Sequence, residues 1–123
     1  MNTKSILIID DEQNITVMLQ RFFERNGYHV VTANDGVEGI KKFKENHIDL
    51  VITDIIMPEK EGVEVIFELQ RFNSDCKIIA VSGGGYLSPD DYLSTVEEIG
   101  VSATFTKPFD THELLAKVEE LLR

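Results

Sequence analysis

Five short apolar runs alternate with five longer amphipathic ones along the chain, and this alternation restricts the fold more than any other feature. Ser5–Ile9 (SILII) is a continuous apolar run of strand length. Ile15, Met18, Leu19, Phe22 and Phe23 then recur at helical spacing as far as Gly27, which is placed as a helix stop. His29–Ala33 reads as a second strand, and Val37, Ile40 and Phe43 suit a short helix behind Asp35. Asp49–Thr53 is a third strand, and Val65, Ile66, Leu69 and Phe72 mark the helix that follows it. Lys77–Val81 is a fourth strand. Ser88 and Pro89 are placed to cap and open a fourth helix, which Tyr92, Val96 and Ile99 carry to Gly100. Ser102–Thr106 is a weaker fifth strand, and Asp110 opens a last helix on Leu114, Leu115, Val118, Leu121 and Leu122.

Strands that are apolar at consecutive positions are covered on both faces. Strands that alternate with helices at this spacing pair in parallel through right-handed crossovers. The expected fold class is therefore α/β, a doubly wound five-stranded parallel sheet, with residues 1–123 as one domain. A chain of 123 residues can hold a core without staples. The single cysteine, Cys76, offers no internal disulfide and suits a reducing compartment. Zinc is disfavoured, because His29, His47 and His112 have no ligand-like spacing. The opening stretch MNTKSILIIDDEQN ends its apolar run in acids, unlike a signal peptide, and no run approaches a membrane span. A cytoplasmic location is expected.

Charge narrows the partners. With 22 acidic against 12 basic residues the net charge is −10, which argues against nucleic acid or a membrane surface as partner. A cation or a basic protein surface remains.

In folds of this class the site lies at the carboxyl ends of the strands. Those ends carry Asp10-Asp11-Glu12, Asp54, Ser82 and Lys107-Pro108. Each alone has an ordinary explanation: a helix cap, a turn residue, a turn hydroxyl, a surface lysine. Together they put carboxylates, one hydroxyl and one ammonium on one rim. Carboxylates about 4 Å apart repel by a few kcal/mol each at an effective dielectric near 20. They need a proton or a cation, and an oxygen-only donor set suits Mg²⁺. A carboxylate shielded by Mg²⁺ and a lysine admits an anionic phosphoryl group, so the chemistry implied is an aspartyl phosphate.

With ILIIDDE at 6–12, VITDIIMPEKEG at 51–62, AVSG at 80–83 and TKPF at 106–109, the sequence resembles the receiver domain of two-component response regulators from Lys4 to Leu122. The resemblance implies a flavodoxin-like (βα)5 fold with strand order 2-1-3-4-5. It makes Asp54 the phosphoacceptor and Asp54, Ser82 and Lys107 the catalytic set, with a cis Lys107–Pro108 bond. It makes Mg²⁺ the cofactor, held by Asp11, Asp54, the Ile56 carbonyl and, through water, Asp10. The implied phosphodonor is a histidine kinase or a histidine phosphotransfer protein, docked on Ile15, Met18, Pro108 and Phe109. The receiver then catalyses only its own phosphorylation and dephosphorylation and is not otherwise an enzyme. It signals to a downstream protein through the face of the fourth helix, fifth strand and fifth helix, as a monomer or a phosphorylation-dependent homodimer. With nothing after the last helix, a stand-alone receiver is expected, or a piece of a longer chain.

Some positions depart from the family pattern. Thr104 stands where an aromatic switch residue is usual, and Phe105 should point to the other face of its strand. Gly83-Gly84-Gly85 lengthens and loosens the loop after the fourth strand, which is expected to carry the switch signal instead. Ile56 and Gly84, two residues after Asp54 and Ser82, stand where the resemblance implies the attacking water's path is flanked, and neither side chain can position a water by hydrogen bonding, so slow self-dephosphorylation is expected. Residues 88–123 hold eight acids and three bases, a candidate face for a basic partner. Two alternatives are a pseudo-receiver that is never phosphorylated and an aspartate-nucleophile phosphohydrolase. The first would normally lack an acid or the lysine; the second needs Asp-x-Asp where this chain has Asp-x-Glu.

Overall fold

Alternate residues of a strand point to opposite faces of its sheet, and here both faces are apolar. A computed structural model describes residues 3–55, 62–82 and 100–123. Its elements run β1 (Ser5–Ile9), α1 (Gln13–Arg25), β2 (His29–Ala33), α2 (Gly36–Glu45), β3 (Leu50–Asp54), α3 (Gly62–Phe72), β4 (Lys77–Ser82), β5 (Ala103–Thr106) and α4 (Thr111–Leu121). The strands form one five-stranded sheet in the order β2-β1-β3-β4-β5, every pair parallel. Ile6 and Ile8 pack on one side with Leu19 and Phe23 of α1 and Leu114 and Val118 of α4. Leu7 and Ile9 pack on the other with Ile40 and Phe43 of α2 and Val65, Ile66 and Leu69 of α3. The doubly wound α/β class and the strand order are as expected. The helix expected to end at Gly100 falls mostly outside the described residues.

Local chemistry sets the helix ends. Asp35 caps α2 by accepting the Glu38 N–H at 2.8 Å, and Glu38 accepts the Asn34 N–H in return at 3.0 Å. Asp110 caps α4 by accepting the N–H groups of His112 and Glu113. Gly27, at φ +92°, ends α1 in the left-handed region. Glu12 stands at the N-cap of α1 without a side-chain capping bond, because its carboxylate is used elsewhere.

Two strand boundaries differ from expectation in a way that matters for the site. β3 extends through Asp54, which pairs in register with Val81, and β4 extends through Ser82, which pairs with Thr106. Both side chains are thereby held by the sheet rather than by a loop. The chain leaves β1 outward to β2 and returns on the other side of β1 to β3, so the topological switch point lies between β1 and β3. Among the described residues no helix is long and apolar enough to cross a membrane.

Candidate functional site

Asp10 follows directly on β1, Asp54 ends β3, Ser82 ends β4 and Lys107 follows on β5. The parallel sheet brings these ends to one rim. Lys107 Nζ lies 2.9 Å from Asp10 Oδ2 and 2.9 Å from Asp54 Oδ2. It also reaches Glu12 Oε1 at 3.3 Å. Carboxylate oxygens of Asp10, Asp11 and Asp54 lie within 4.8 Å of one another. Asp10 and Asp54 are buried, while Asp11 is exposed at the mouth. The backbone ties the rim together as well, with the Lys107 N–H donating to the Ser82 carbonyl at 2.8 Å.

Among the described residues three acids, Asp10, Glu12 and Asp54, share Lys107 with Asp11 beside them, and the electrostatics follow from that imbalance. Burial pushes the Asp10 carboxyl above its ordinary value; the Glu12 N–H and Lys107 pull it back only in part. Burial opposes the Lys107 ammonium, but its hydrogen bonds to Asp10 and Asp54 more than offset this and hold its pKa above the usual lysine value. Lys107 is therefore a fixed cation, and the carboxylates keep excess negative charge around it.

A divalent cation fits this arrangement. The donors are all oxygen, they converge, and they are under-neutralised by the single lysine. Asp10, Asp11 and Asp54 are the residues that would hold it. The expected carbonyl ligand, Ile56, lies outside the described residues, as do Gly83–Gly85.

Ser82 is fully buried, and its Oγ has no hydrogen-bond partner among the described residues. A buried hydroxyl left unsatisfied costs about 1–3 kcal/mol, so a group able to bond it is favoured there. Sequence reasoning missed Glu12 as a partner of Lys107. The only signal was its place in the Asp-Asp-Glu run, since the contact spans 95 positions.

Beside the rim, Glu12, Ile15, Met18, Lys107, Pro108 and Phe109 line an open groove of about 420 Å³. The Lys107–Pro108 peptide is cis. Phe105 packs with the α1–α4 side of the core and meets Phe109 edge-on at 6.4 Å. Its ring thus lies on the opposite face of β5 from Thr104, as the strand alternation requires.

A family profile described as the response regulator receiver domain matches residues 6–119. The alkaline phosphatase synthesis transcriptional regulatory protein PhoP of Bacillus subtilis is 35% identical over 122 residues, covering 98% of this chain and 49% of its own length. The transcriptional regulatory protein PrrA of Mycobacterium tuberculosis is 34% identical, covering 96% of this chain and 49% of its own length. The chain thus spans about half the length of the curated relatives it matches. Among solved structures, the response regulator protein TrrA of Thermotoga maritima, in complex with Mg²⁺–BeF, superimposes with a TM-score of 0.85 at 36% identity. That match covers 97% of this chain and 99% of the other. A response regulator receiver domain protein of Clostridium thermocellum gives a TM-score of 0.88 at 29% identity, covering 96% of this chain and 93% of the other.

Proposed function

The chain belongs to the response regulator receiver family, and on that premise we propose that Asp54 takes a phosphoryl group from a phosphohistidine. Residues 1–123 act as one receiver unit in this reading. An Asp54 oxygen attacks phosphorus in line, the phosphorus–nitrogen bond breaks with its electron pair staying on the nitrogen, and the donor ring, already protonated on its other nitrogen, leaves as neutral imidazole. The product is an acyl phosphate on Asp54. A Mg²⁺ ion held by Asp10, Asp11 and Asp54 would shield the incoming charge. Lys107 supplies a second, permanent positive charge, and Ser82 Oγ, which has no hydrogen-bond partner among the described residues, donates a hydrogen bond to the phosphoryl group. The same residues run the chain's own dephosphorylation, and no other substrate is turned over.

The observation that carries this reading is the triangle of Lys107 with Asp10 and Asp54, two buried carboxylates on one ammonium at the sheet's switch point. A pseudo-receiver needs no such set. The groove of Ile15, Met18, Pro108 and Phe109 is the surface where a histidine kinase or phosphotransfer protein would present its histidine. The curated relatives are named transcriptional regulators and are about twice as long. Output here is proposed to run by protein contact through the face that includes β5 and α4, in the cytoplasm.

Incubation with acetyl phosphate and Mg²⁺ tests the assignment. Intact mass should rise by one phosphoryl group in wild type and not in Asp54→Ala, and the adduct should be labile at alkaline pH. Equal labelling of both proteins would move the acceptor elsewhere.

A further inference from the structure

The far end of α1, remote from the rim, closes on Asn26 and Gly27. The Tyr28 N–H donates to the Phe23 carbonyl at 3.1 Å, and the Gly27 N–H donates to the Glu24 carbonyl at 3.2 Å. These are the crossed bonds that a left-handed residue after a helix permits. The Tyr28 and Phe23 rings meet edge-on at 5.9 Å and supply the apolar contact that accompanies such a turn. Asn26 Nδ2 donates to the Phe22 carbonyl at 2.8 Å. Asn26 and Gly27 are both exposed, and no atom lies within 4 Å of where a Gly27 Cβ would stand. Asn26 is also the one asparagine of the chain that is followed by glycine. In that pair no side chain shields the following main-chain nitrogen, so it can close on the asparagine's own amide carbon.

We propose that Asn26 is the chain's main site of spontaneous deamidation and that the closing turn of α1 is the gate that sets its rate. The Gly27 nitrogen, once deprotonated, bonds to Asn26 Cγ. The Cγ–Nδ2 bond breaks, and ammonia leaves with the electron pair and the proton, giving a five-membered imide. Solvent water then adds to either imide carbonyl and opens the ring to aspartate or isoaspartate. In the closed turn neither reactant is free, because Gly27 N–H is held by Glu24 and the Asn26 amide by Phe22. Opening of the last helical turn, a local event well below global unfolding, releases both together. The products do not restore the cap. Aspartate can only accept, so it loses the bond to Phe22 and sets a negative charge at the negative end of the helix dipole. Isoaspartate adds a main-chain carbon just before β2, whose first residue, His29, donates to the Lys4 carbonyl at 3.0 Å. The turn bonds and the Ser5–His29 register then cannot both be kept.

The test ages the full chain in mildly alkaline buffer, folded and in urea that unfolds it, and locates amide-to-acid conversion by peptide mapping with fragmentation. Asn26 should account for most of the conversion in both states, and the folded chain should convert there about ten-fold more slowly. Tyr28→Ala removes the ring that covers Phe23, so it should speed conversion of the folded chain about three-fold and leave the rate in urea unchanged. Should that variant not fold, Tyr28→Leu, which keeps an apolar cover but no ring, is held to the same expectation. Asn26→Gln should lose the fast-converting fraction. The isoaspartate form, separated from aged wild type by ion exchange, should unfold at lower urea than Asn26→Asp, and Asn26→Asp at lower urea than fresh wild type. Conversion mainly at another asparagine would overturn the proposal, as would equal rates at Asn26 in the folded and unfolded chains. An unchanged rate in the folded Tyr28 variant would remove the turn as the gate, and an isoaspartate form as stable as fresh wild type would refute the coupling to the β1–β2 register.

Discussion

Lys107 Nζ stands 2.9 Å from Asp54 Oδ2, joining residues 53 positions apart across the top of the sheet. The same ammonium is shared with Asp10 and Glu12, and Asp11 lies alongside. The rim therefore carries more negative charge than its one lysine neutralises. Repulsion among those acids is built into the fold, where a cation or a phosphoryl group's counter-ions can relieve it.

Asp54→Asn should accordingly stabilise the chain in the absence of divalent ions. The amide oxygen still accepts from Lys107, while one charge leaves the cluster. A gain of about 1 kcal/mol is expected from urea unfolding at pH 7.5 in EDTA. Adding millimolar Mg²⁺ should raise the melting temperature of wild type more than that of the variant, since binding to the folded state alone stabilises it by mass action. Equal Mg²⁺ shifts in the two proteins would show that the ion binds elsewhere.

Gly39 is required where α2 crosses β1. A Cβ built there would meet Ile9 Cδ1 and lie 2.8 Å from Ile9 Cγ1, and Ile9 is itself 1% exposed. Gly39→Ala gains up to about 1 kcal/mol of helix propensity but overpacks the core by about 1–3 kcal/mol, so a net loss of about 1 kcal/mol is expected. Pairing it with Ile9→Val removes the nearest clashing carbon. The double variant should recover part of the loss in a urea titration, even though Ile9→Val alone destabilises.

The rim was readable because an apolar run must stop where its strand leaves the core, and Asp10 and Lys107 stand just past such stops. The two-sided burial was readable too, since Ile6 through Ile9 leave no polar face. Alternation does not dictate lateral strand order, which came from resemblance to a family. Asp54 was expected just beyond its strand. The ladder continues through it because the Ile55 N–H donates to the Val81 carbonyl at 3.0 Å, which only the assembled sheet provides. Glu12 on Lys107 and Gly39 on Ile9 are tertiary contacts of the same kind, set by where distant segments meet rather than by local pattern.

Cys76 should be a quiet thiol. Burial, with Asp49 nearby, pushes its pKa up to about 12, and its Sγ faces the Ile48 and Lys77 carbonyls. At pH 8 the folded chain should react with iodoacetamide about a thousand-fold more slowly than the urea-unfolded chain, in proportion to thiolate. The same shift has a sign for stability. The folded thiol keeps its proton at pH values where the unfolded one has lost it, so this contribution is full below about pH 9 and declines as pH rises towards 12. Between pH 8 and 10 wild type should lose about 1 kcal/mol more than Cys76→Ala. Parallel pH profiles for the two would contradict the shift.

Once formed, an acyl phosphate on Asp54 should be long-lived. Hydrolysis needs a water held in line with the phosphorus–oxygen bond, opposite the Asp54 oxygen. The residues two positions after Asp54 and Ser82 are Ile56 and Gly84, both outside the described residues. An aliphatic chain and a hydrogen cannot orient a water whatever their conformation. Wild-type acyl phosphate, freed of donor by rapid desalting and followed by intact mass in Mg²⁺, should therefore persist for minutes or longer. Ile56→Asn adds an amide that can hold the water and should shorten the lifetime several-fold, without changing the mass of the labelled product. A wild-type half-life of seconds, or an Ile56→Asn lifetime equal to wild type, would mean that water is positioned by other groups on the rim.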